Sequence, residues 1–263
     1  MNGKIMKLKL KNNIIQVHKF KSVNSTNVVA SKMAADGCAE GTIVVSDIQT
    51  AGRGRLGRTF LSQKGGIYLS VVLRPTLSPT DVLFITVAAA VAAARAIENV
   101  SGKKCDIKWV NDIYINNKKV CGILTEGAFN AEGGLDYAVL GIGINLFEPK
   151  DKFPKELPLA DSVFHRKDIK IFKNRLKKRV IRDFLENFFE FYTNIDKKTF
   201  MAEYQQRSFL TGKAITYTQN GVVCSAVVEG IDENANLLVK SGEKVQTLSH
   251  GEIQIVGMEQ FLV

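Results

Sequence analysis

Three arginines fall within seven residues at Gly52-Arg53-Gly54-Arg55-Leu56-Gly57-Arg58. A glycine-rich loop of this kind brings both backbone N–H groups and bidentate guanidinium donors onto carboxylate or phosphate oxygens. The segment formally matches GxGxxG, but a dinucleotide fold needs a helix directly after the motif, and Thr59 to Gly65 lead instead into a further strand. GxxxxGK[ST] is missing from the sequence, so the motif of a phosphate-loop NTPase is absent as well. A solvated surface loop and an Arg/Gly nucleic-acid segment remain alternative readings of the same residues.

A second group is Lys108-Trp109-Val110-Asn111-Asp112, which sets a cation, an aromatic and an acid in close order at a strand end. Asp112 is a candidate Mg²⁺ ligand beside a triphosphate, because a hard cation takes carboxylate oxygen and shares it with phosphates. A turn residue at a strand end is the alternative. Lys119 follows in KKVCGILTE. Strict strand alternation puts Lys119 on one face with Cys121 and turns Lys118 to the other, so only one of the two lysines faces a site.

These groups need elements to position them. Asn24-Ser25-Thr26-Asn27, then VVASKMAAD and Gly37, is the pattern of a polar cap, a short helix and a glycine stop, with Ser25 and Thr26 at the helix's positive end. TIVVSD (42–47) and GIYLSVVLRP (66–75) read as strands flanking the Arg/Gly loop. Ser78-Pro79-Thr80-Asp81 predicts a helix start, and the helix to about Asn99 is apolar almost all round, as a buried central helix is. DIKWV, IYI, KVCGILTE and LDYAVLGIGINL predict consecutive strands, the middle two joined at Asn116-Asn117. Leu176, Val180, Phe184, Phe188 and Tyr192 recur every fourth residue and predict an amphipathic helix over 174–194, with a shorter one over 200–207. After Leu210 the chain turns to short alternating strands around an Asn220-Gly221 hairpin, the texture of a small SH3-like barrel.

The expected fold is therefore α+β, a largely antiparallel or mixed sheet packed with helices plus a C-terminal SH3-like β-barrel, divided as residues 1–208 and 209–263. The 263 residues carry 45% hydrophobic and 24% charged side chains, which excludes disordered and fibrous classes. The net charge of +10 favours anionic partners, whether nucleotide, nucleic acid or an acidic protein. The start of the chain lacks a continuous apolar segment, and Val82 to Ala94 falls short of the ~20 residues that span a bilayer, so a cytoplasmic protein without membrane contact is expected. Cys38, Cys105, Cys121 and Cys224 are scattered without a CxxC pair and read as small buried hydrophobes.

In combination and in order, NSTN, QTAGRGRLGRTF, KWVNDIYINNKKVCGIL and GIGIN resemble the biotin protein ligases. The resemblance runs through essentially the whole chain. It implies that Ser25, Thr26, Asn27 and Gln49 bind biotin together with Gly52, Arg53, Gly54, Arg55 and Lys119. It also implies that Arg55, Arg58, Phe60, Lys108, Asn111, Asp112 and Asn145 face ATP or the adenylate, with Asp112 on the metal, and that Lys119, Arg53 and Arg55 carry the catalysis. The cofactors so implied are ATP and Mg²⁺, and the partners are biotin and a biotin carboxyl carrier protein, with a homodimer compatible with exposed sheet edges. The sequence departs from the family at Val110, where proline is frequent, and at Phe60, where tryptophan is frequent; phenylalanine still offers adenine a π-face. Only about two dozen residues precede Ser25, too few for the winged helix-turn-helix of bifunctional members, so a ligase without specific DNA binding is expected. A lipoate–protein ligase or octanoyl transferase of the same superfamily is the nearest alternative, and a nucleic-acid-binding protein is the alternative of another class.

Overall fold

The computed structural model describes residues 3–11, 14–78, 81–132, 134–166, 172–219 and 221–258. Eight strands form the main sheet: β1 (Lys4–Lys9), β2 (Ile14–Phe20), β3 (Ile43–Ser46), β4 (Ile67–Leu73), β5 (Asp106–Lys108), β6 (Asp112–Ile115), β7 (Lys118–Phe129) and β8 (Leu135–Ile144). Their order is β1-β2-β3-β4-β8-β7-β6-β5, and every neighbouring pair is antiparallel except β2 with β3. The hairpin between β6 and β7 turns on Asn116 and Asn117, both at positive φ (50° and 61°), the geometry of a two-residue type I′ turn.

Each face of the sheet has its own helix. The short α1 (Thr26–Ala35) lays Ala30 and Ala34 against Val44, Val72 and Val139. On the other face α2 (Leu83–Ser101) lies between the sheet and α3 (Lys173–Thr193). The alanines of α2 at 88–90 and 92–94 are fully buried, and their small side chains let it be covered on all sides. By length and composition α2 also passes for a membrane span, yet 72% of that stretch is buried inside the protein. Val180, Phe184 and Phe188 of α3 are buried against it, as the fourfold spacing predicts.

β4 is buried on both faces and alternates between them. Ile67, Leu69, Val71 and Leu73 join the core beneath α2, while Val72 packs under α1. Tyr68 and Ser70 share the face of Val72.

Three sequence expectations change. α2 begins at Leu83 rather than beside Pro79, and the residues before it make tighter i to i+3 bonds, Phe84 to Asp81 and Ile85 to Val82. The Ser78 hydroxyl bonds the Asp81 carboxylate (2.7 Å), while Pro79 and Thr80 themselves lie outside the described residues. Strands β1 and β2 were not anticipated, because their burial is broken by the exposed Ile5 and Ile14 and alternation is imperfect. Lastly, Cys121 does not share a face with Lys119. The ladder of β6 and β7 shifts register between Ile113 and Tyr114, so Val120 has no opposite residue in β6 and both Val120 and Cys121 turn into the core.

The remaining strands, β9 (Ala214–Gln219), β10 (Val222–Ile231), β11 (Leu237–Ser241), β12 (Lys244–Leu248) and β13 (Ile253–Ile255), form a separate antiparallel sheet in the order β12-β11-β10-β9-β13. Ile215, Val228, Leu237, Val239 and Ile253 are its most deeply buried residues, and it makes the small C-terminal β domain. Gln219 pairs with Val222 as a two-residue hairpin requires; Asn220 of the expected Asn-Gly turn lies outside the described residues. The helix α4 (Met201–Arg207) leads into this domain. Arg207 of α4 bonds Glu98 of α2 through both terminal nitrogens (2.8 Å each) and pairs with Glu203, which also binds Arg95 of α2.

Candidate active site

One cavity collects residues from α1, the Arg/Gly loop, the turn between β5 and β6, strands β7 and β8 and the β domain. Its polar end is built at the start of α1. Ser25 is the N-cap residue, yet its side chain makes no capping bond, so the buried hydroxyl is left to face the cavity. Gln49 accepts hydrogen bonds through Oε1 from the Thr26 backbone N–H (2.7 Å) and the Thr26 hydroxyl (3.0 Å). Its Nε2 donates to Ser62 Oγ (2.8 Å), which donates to the carbonyl of Phe60 (2.8 Å). This chain fixes which end of the Gln49 amide is acceptor, and one of its two N–H bonds remains for a ligand. Ser70, fully buried on β4, has its hydroxyl oxygen within hydrogen-bond distance of Thr26 Oγ1 (2.8 Å) and Asn27 Oδ1 (2.6 Å), its one proton serving the Asn27 carbonyl oxygen. Asn27 donates in turn to Glu126 Oε2 (2.7 Å) and the Leu124 carbonyl (3.3 Å), so its own polar atoms are all engaged by protein.

The floor is glycine. Gly141 and Gly143 of β8 and Gly122 of β7 line the cavity. A Cβ on Gly141 would strike Asn27 Oδ1, and one on Gly143 would strike the Phe60 ring. The GIGIN segment thus keeps the strand flat where two side chains lie on it. Phe60 rests against Gly143 and Gly122 and meets Tyr68 edge-on at 6.5 Å.

The cations converge from three elements. The loop folds back on itself through Gly54 N–H to the Arg58 carbonyl (2.7 Å), and Leu56 at its tip is left exposed with φ of 52°. Arg53 pairs with Glu126 (2.8 Å), and Arg58 pairs with Glu252 of the β domain. Arg55 donates to Asn111 Oδ1 (3.3 Å) and to the carbonyl of Gly251 (3.1 Å), tying the loop to the β5–β6 turn and to the β domain. The bulge at Val120 turns Lys119 into the cavity, with Nζ 2.7 Å from Asp112 Oδ2. Lys118 points away, donating to the carbonyl of Pro158 (2.6 Å). Lys108 is buried, which pushes its ammonium below the ordinary lysine value; Lys119 and Arg58 push the same way, against Asp112 and Glu252.

Most of the sequence candidates meet here: Ser25, Thr26, Asn27, Gln49, Arg53, Gly54, Arg55, Arg58, Phe60, Lys108, Asn111, Asp112 and Lys119 line one cavity. Gly52 and Asn145 stand outside its lining. Gly52 is packed beneath the Phe60 carbonyl and Ser62, and Asn145 borders a small adjoining cavity with Gln63, Tyr68 and Phe147. Trp109 is an anchor, buried with its indole N–H on the Ala235 carbonyl of the β domain (2.8 Å). Sequence reasoning missed Ser62, Ser70, Glu126 and the barrel residues Gly251 and Glu252. Ser70 left a trace, as the one serine in the otherwise large and mostly apolar strand IYLSVVL; Glu252 left none, since only the tertiary fold brings it to the loop.

Residues 19–145 match the biotin/lipoate A/B protein ligase family. The bifunctional ligase/repressor BirA of Bacillus spizizenii is 34% identical over 237 residues, covering 89% of this chain and 72% of that protein. The biotin–[acetyl-CoA-carboxylase] ligase of Mycobacterium tuberculosis is 27% identical, covering 87% and 85%. Among solved structures, a biotin protein ligase from Aquifex aeolicus in complex with biotin and ATP aligns with a TM-score of 0.72 at 25% identity, over 91% of this chain and 97% of that one. With that likeness spread over both the cavity and the β domain, the chain belongs to the biotin/lipoate A/B protein ligase family and, within it, to the biotin protein ligases.

Proposed function

We propose that this cavity activates biotin as biotinyl-5′-AMP and passes the biotinyl group to a lysine of a biotin carboxyl carrier protein. The observation that carries the reading is the meeting, in one cavity, of a neutral hydrogen-bonding end with a cationic end. Ser25, Thr26 and Gln49 suit an uncharged polar ring, and Arg53, Arg58, Lys108 and Lys119 suit the anions. Relatives that carry biotin and ATP in their solved complexes support the same assignment.

The chemical difficulty is that a carboxylate is a poor electrophile. Its oxygen attacks the α-phosphorus of ATP, the bond to the β-phosphate bridging oxygen breaks, and pyrophosphate leaves. Several anionic groups then crowd together, and preorganised cations oppose that repulsion at no reorganisation cost. An acceptor lysine amine next attacks the mixed anhydride and AMP departs. Since water competes with the amine, the loop has a second role as a lid over the anhydride.

Asp112 is the residue here that would hold Mg²⁺. Its Oδ1 is buried without a hydrogen-bond partner among the described residues, which is an acceptor left for a cation. A single carboxylate oxygen suits an ion whose other ligands are phosphate oxygens and water. Bound there, Mg²⁺ would neutralise phosphate charge. Residues 1–208 are the catalytic unit on this reading, and 209–263 supply the lid's far contact.

The test is biotin-dependent ATP–pyrophosphate exchange, run beside lipoate and octanoate. Exchange with biotin alone is expected; exchange with lipoate or octanoate in its place would transfer the chain to the neighbouring branch of the superfamily.

A further inference from the structure

We infer that Glu126 is a positioning residue that sets the lid arginine Arg53 over the biotin end of the cavity. The inference rests on the proposed biotin chemistry and assigns a role to a residue outside the motifs. Glu126 lies on β7 and pairs in register with Val139. Its two carboxylate oxygens take different partners: Oε2 accepts from Asn27 Nδ2 (2.7 Å), and Oε1 pairs with Arg53 Nη2 (2.8 Å). Asn27 sits in the first turn of α1, next to Thr26. One carboxylate therefore ties the Arg/Gly loop to the wall at the start of α1.

The geometry makes this more than a surface ion pair. Asn27 is held from its other side by Ser70, so the Asn27 contact fixes the carboxylate rather than the reverse. The Glu126 side chain is only 26% exposed, whereas Arg53 is 52% exposed. Glu126 engages one terminal nitrogen of the guanidinium, and among the described residues the others have no protein acceptor. Those nitrogens are free to meet a ligand carboxylate or phosphate while the anchored one sets the direction. An exposed pair of this kind adds little stability. Its effect is orientation, which lowers the ordering cost of bringing the loop down on the ligand.

The chemistry of the carboxylate allows a clean test. One oxygen accepts the Asn27 amide N–H and the other lies against the Arg53 guanidinium, so Glu126→Gln, though isosteric, must set its own amide N–H against one of these cationic or N–H groups. The measurement is the KM for biotin and for ATP in pyrophosphate exchange, in wild-type and Arg53→Met backgrounds, with melting temperature recorded. In the wild-type background Glu126→Gln is expected to raise the biotin KM about tenfold and leave the ATP KM within about twofold. In the Arg53→Met background the same change should have almost no further effect, because the group it positions is gone. Equal, additive effects in both backgrounds, or a parallel rise in the ATP KM, would overturn the inference. If Glu126→Gln does not fold, Glu126→Asp, which keeps the charge but is too short to span both partners, is read in the same cycle with the same expectations. A wild-type protein inactive with biotin would defeat the functional reading itself; an active one with an unaltered biotin KM in the variant defeats the role of Glu126 alone.

Discussion

Lys119 Nζ lies 2.7 Å from Asp112 Oδ2, while the other oxygen of that carboxylate is buried and has no hydrogen-bond partner among the described residues. Asp112 thus orients the lysine with one oxygen, and on the proposed reading the second is left for Mg²⁺. The β-bulge at Val120 makes the contact possible, since it turns Lys119 into the cavity and Val120 and Cys121 into the core. Lys119→Ala should lower the rate of adenylate formation by about 10²–10³, the usual loss for a preorganised charge partner of a transition state. Lys118→Ala should change it by less than about twofold, because Lys118 only caps a surface carbonyl. Pre-steady-state adenylation in the two variants checks this, and equal losses would place the wrong lysine in the site.

On the proposed reading, the glycine floor supports biotin at one end and ATP at the other. Gly141→Ala pushes on Asn27, at the polar end, and Gly143→Ala pushes on the Phe60 ring. Overpacking of this sort costs about 1–3 kcal/mol. Gly141→Ala is expected to raise the biotin KM at least about tenfold, and Gly143→Ala to do the same for ATP. Titrating each substrate against each variant shows whether the halves are divided as described.

The lid's arginines differ in what they hold. Arg55 spans from the Asn111 side chain to the Gly251 carbonyl of the β domain. Arg55→Gly removes both contacts and adds chain freedom, so the closed loop becomes entropically less favourable. Adenylate should still form and then escape, several-fold more of it appearing free in a rapid-quench count and acylating bystander lysines. Arg58→Ala should instead raise the ATP requirement without increasing free adenylate. Identical leakage from both variants would show that the loop acts as a single unit.

A pH effect on stability follows from the ion-pair network below the β domain. Burial alone would raise the carboxyls of Glu98 and Glu203, but hydrogen bonds and charge from Arg207, with Arg95 for Glu203, leave both below the ordinary glutamate value. A depressed folded-state pKa contributes stability fully above the unfolded value of about 4.3, and the contribution disappears as pH falls through the folded values. Arg207→Ala should therefore cost about 3 kcal/mol at neutral pH and noticeably less in acid. Urea unfolding of the wild type and variant across this range measures the convergence; a constant gap would show that the network does not titrate with folding.

What the sequence made legible followed from local chemistry. The Asn116-Asn117 turn, the fourfold stripe of α3 and the buried α2 each depend on periodicity or turn preference, and each is present in the fold. Simple alternation places Cys121 on the face of Lys119, which the structure does not, because a bulge is a tertiary accommodation that alternation does not encode. Glu126 and Glu252 escaped notice for a related reason. A carboxylate on a strand or in a barrel loop has no local signature, and its meaning arises only when the fold sets an arginine against it. The N-terminal hairpin was missed because its edge strand is largely exposed and studded with lysine.

On the proposed reading, one cavity both makes and retains biotinyl-5′-AMP. Mass spectrometry of the protein incubated with biotin, ATP and Mg²⁺, before and after adding an unmodified biotin carboxyl carrier domain, tests it most directly. About one equivalent of protein-bound biotinyl-5′-AMP is expected, consumed as one acceptor lysine gains biotin, with no covalent change to the ligase. No adenylate with biotin, or biotin attached covalently to the ligase before transfer, would contradict it.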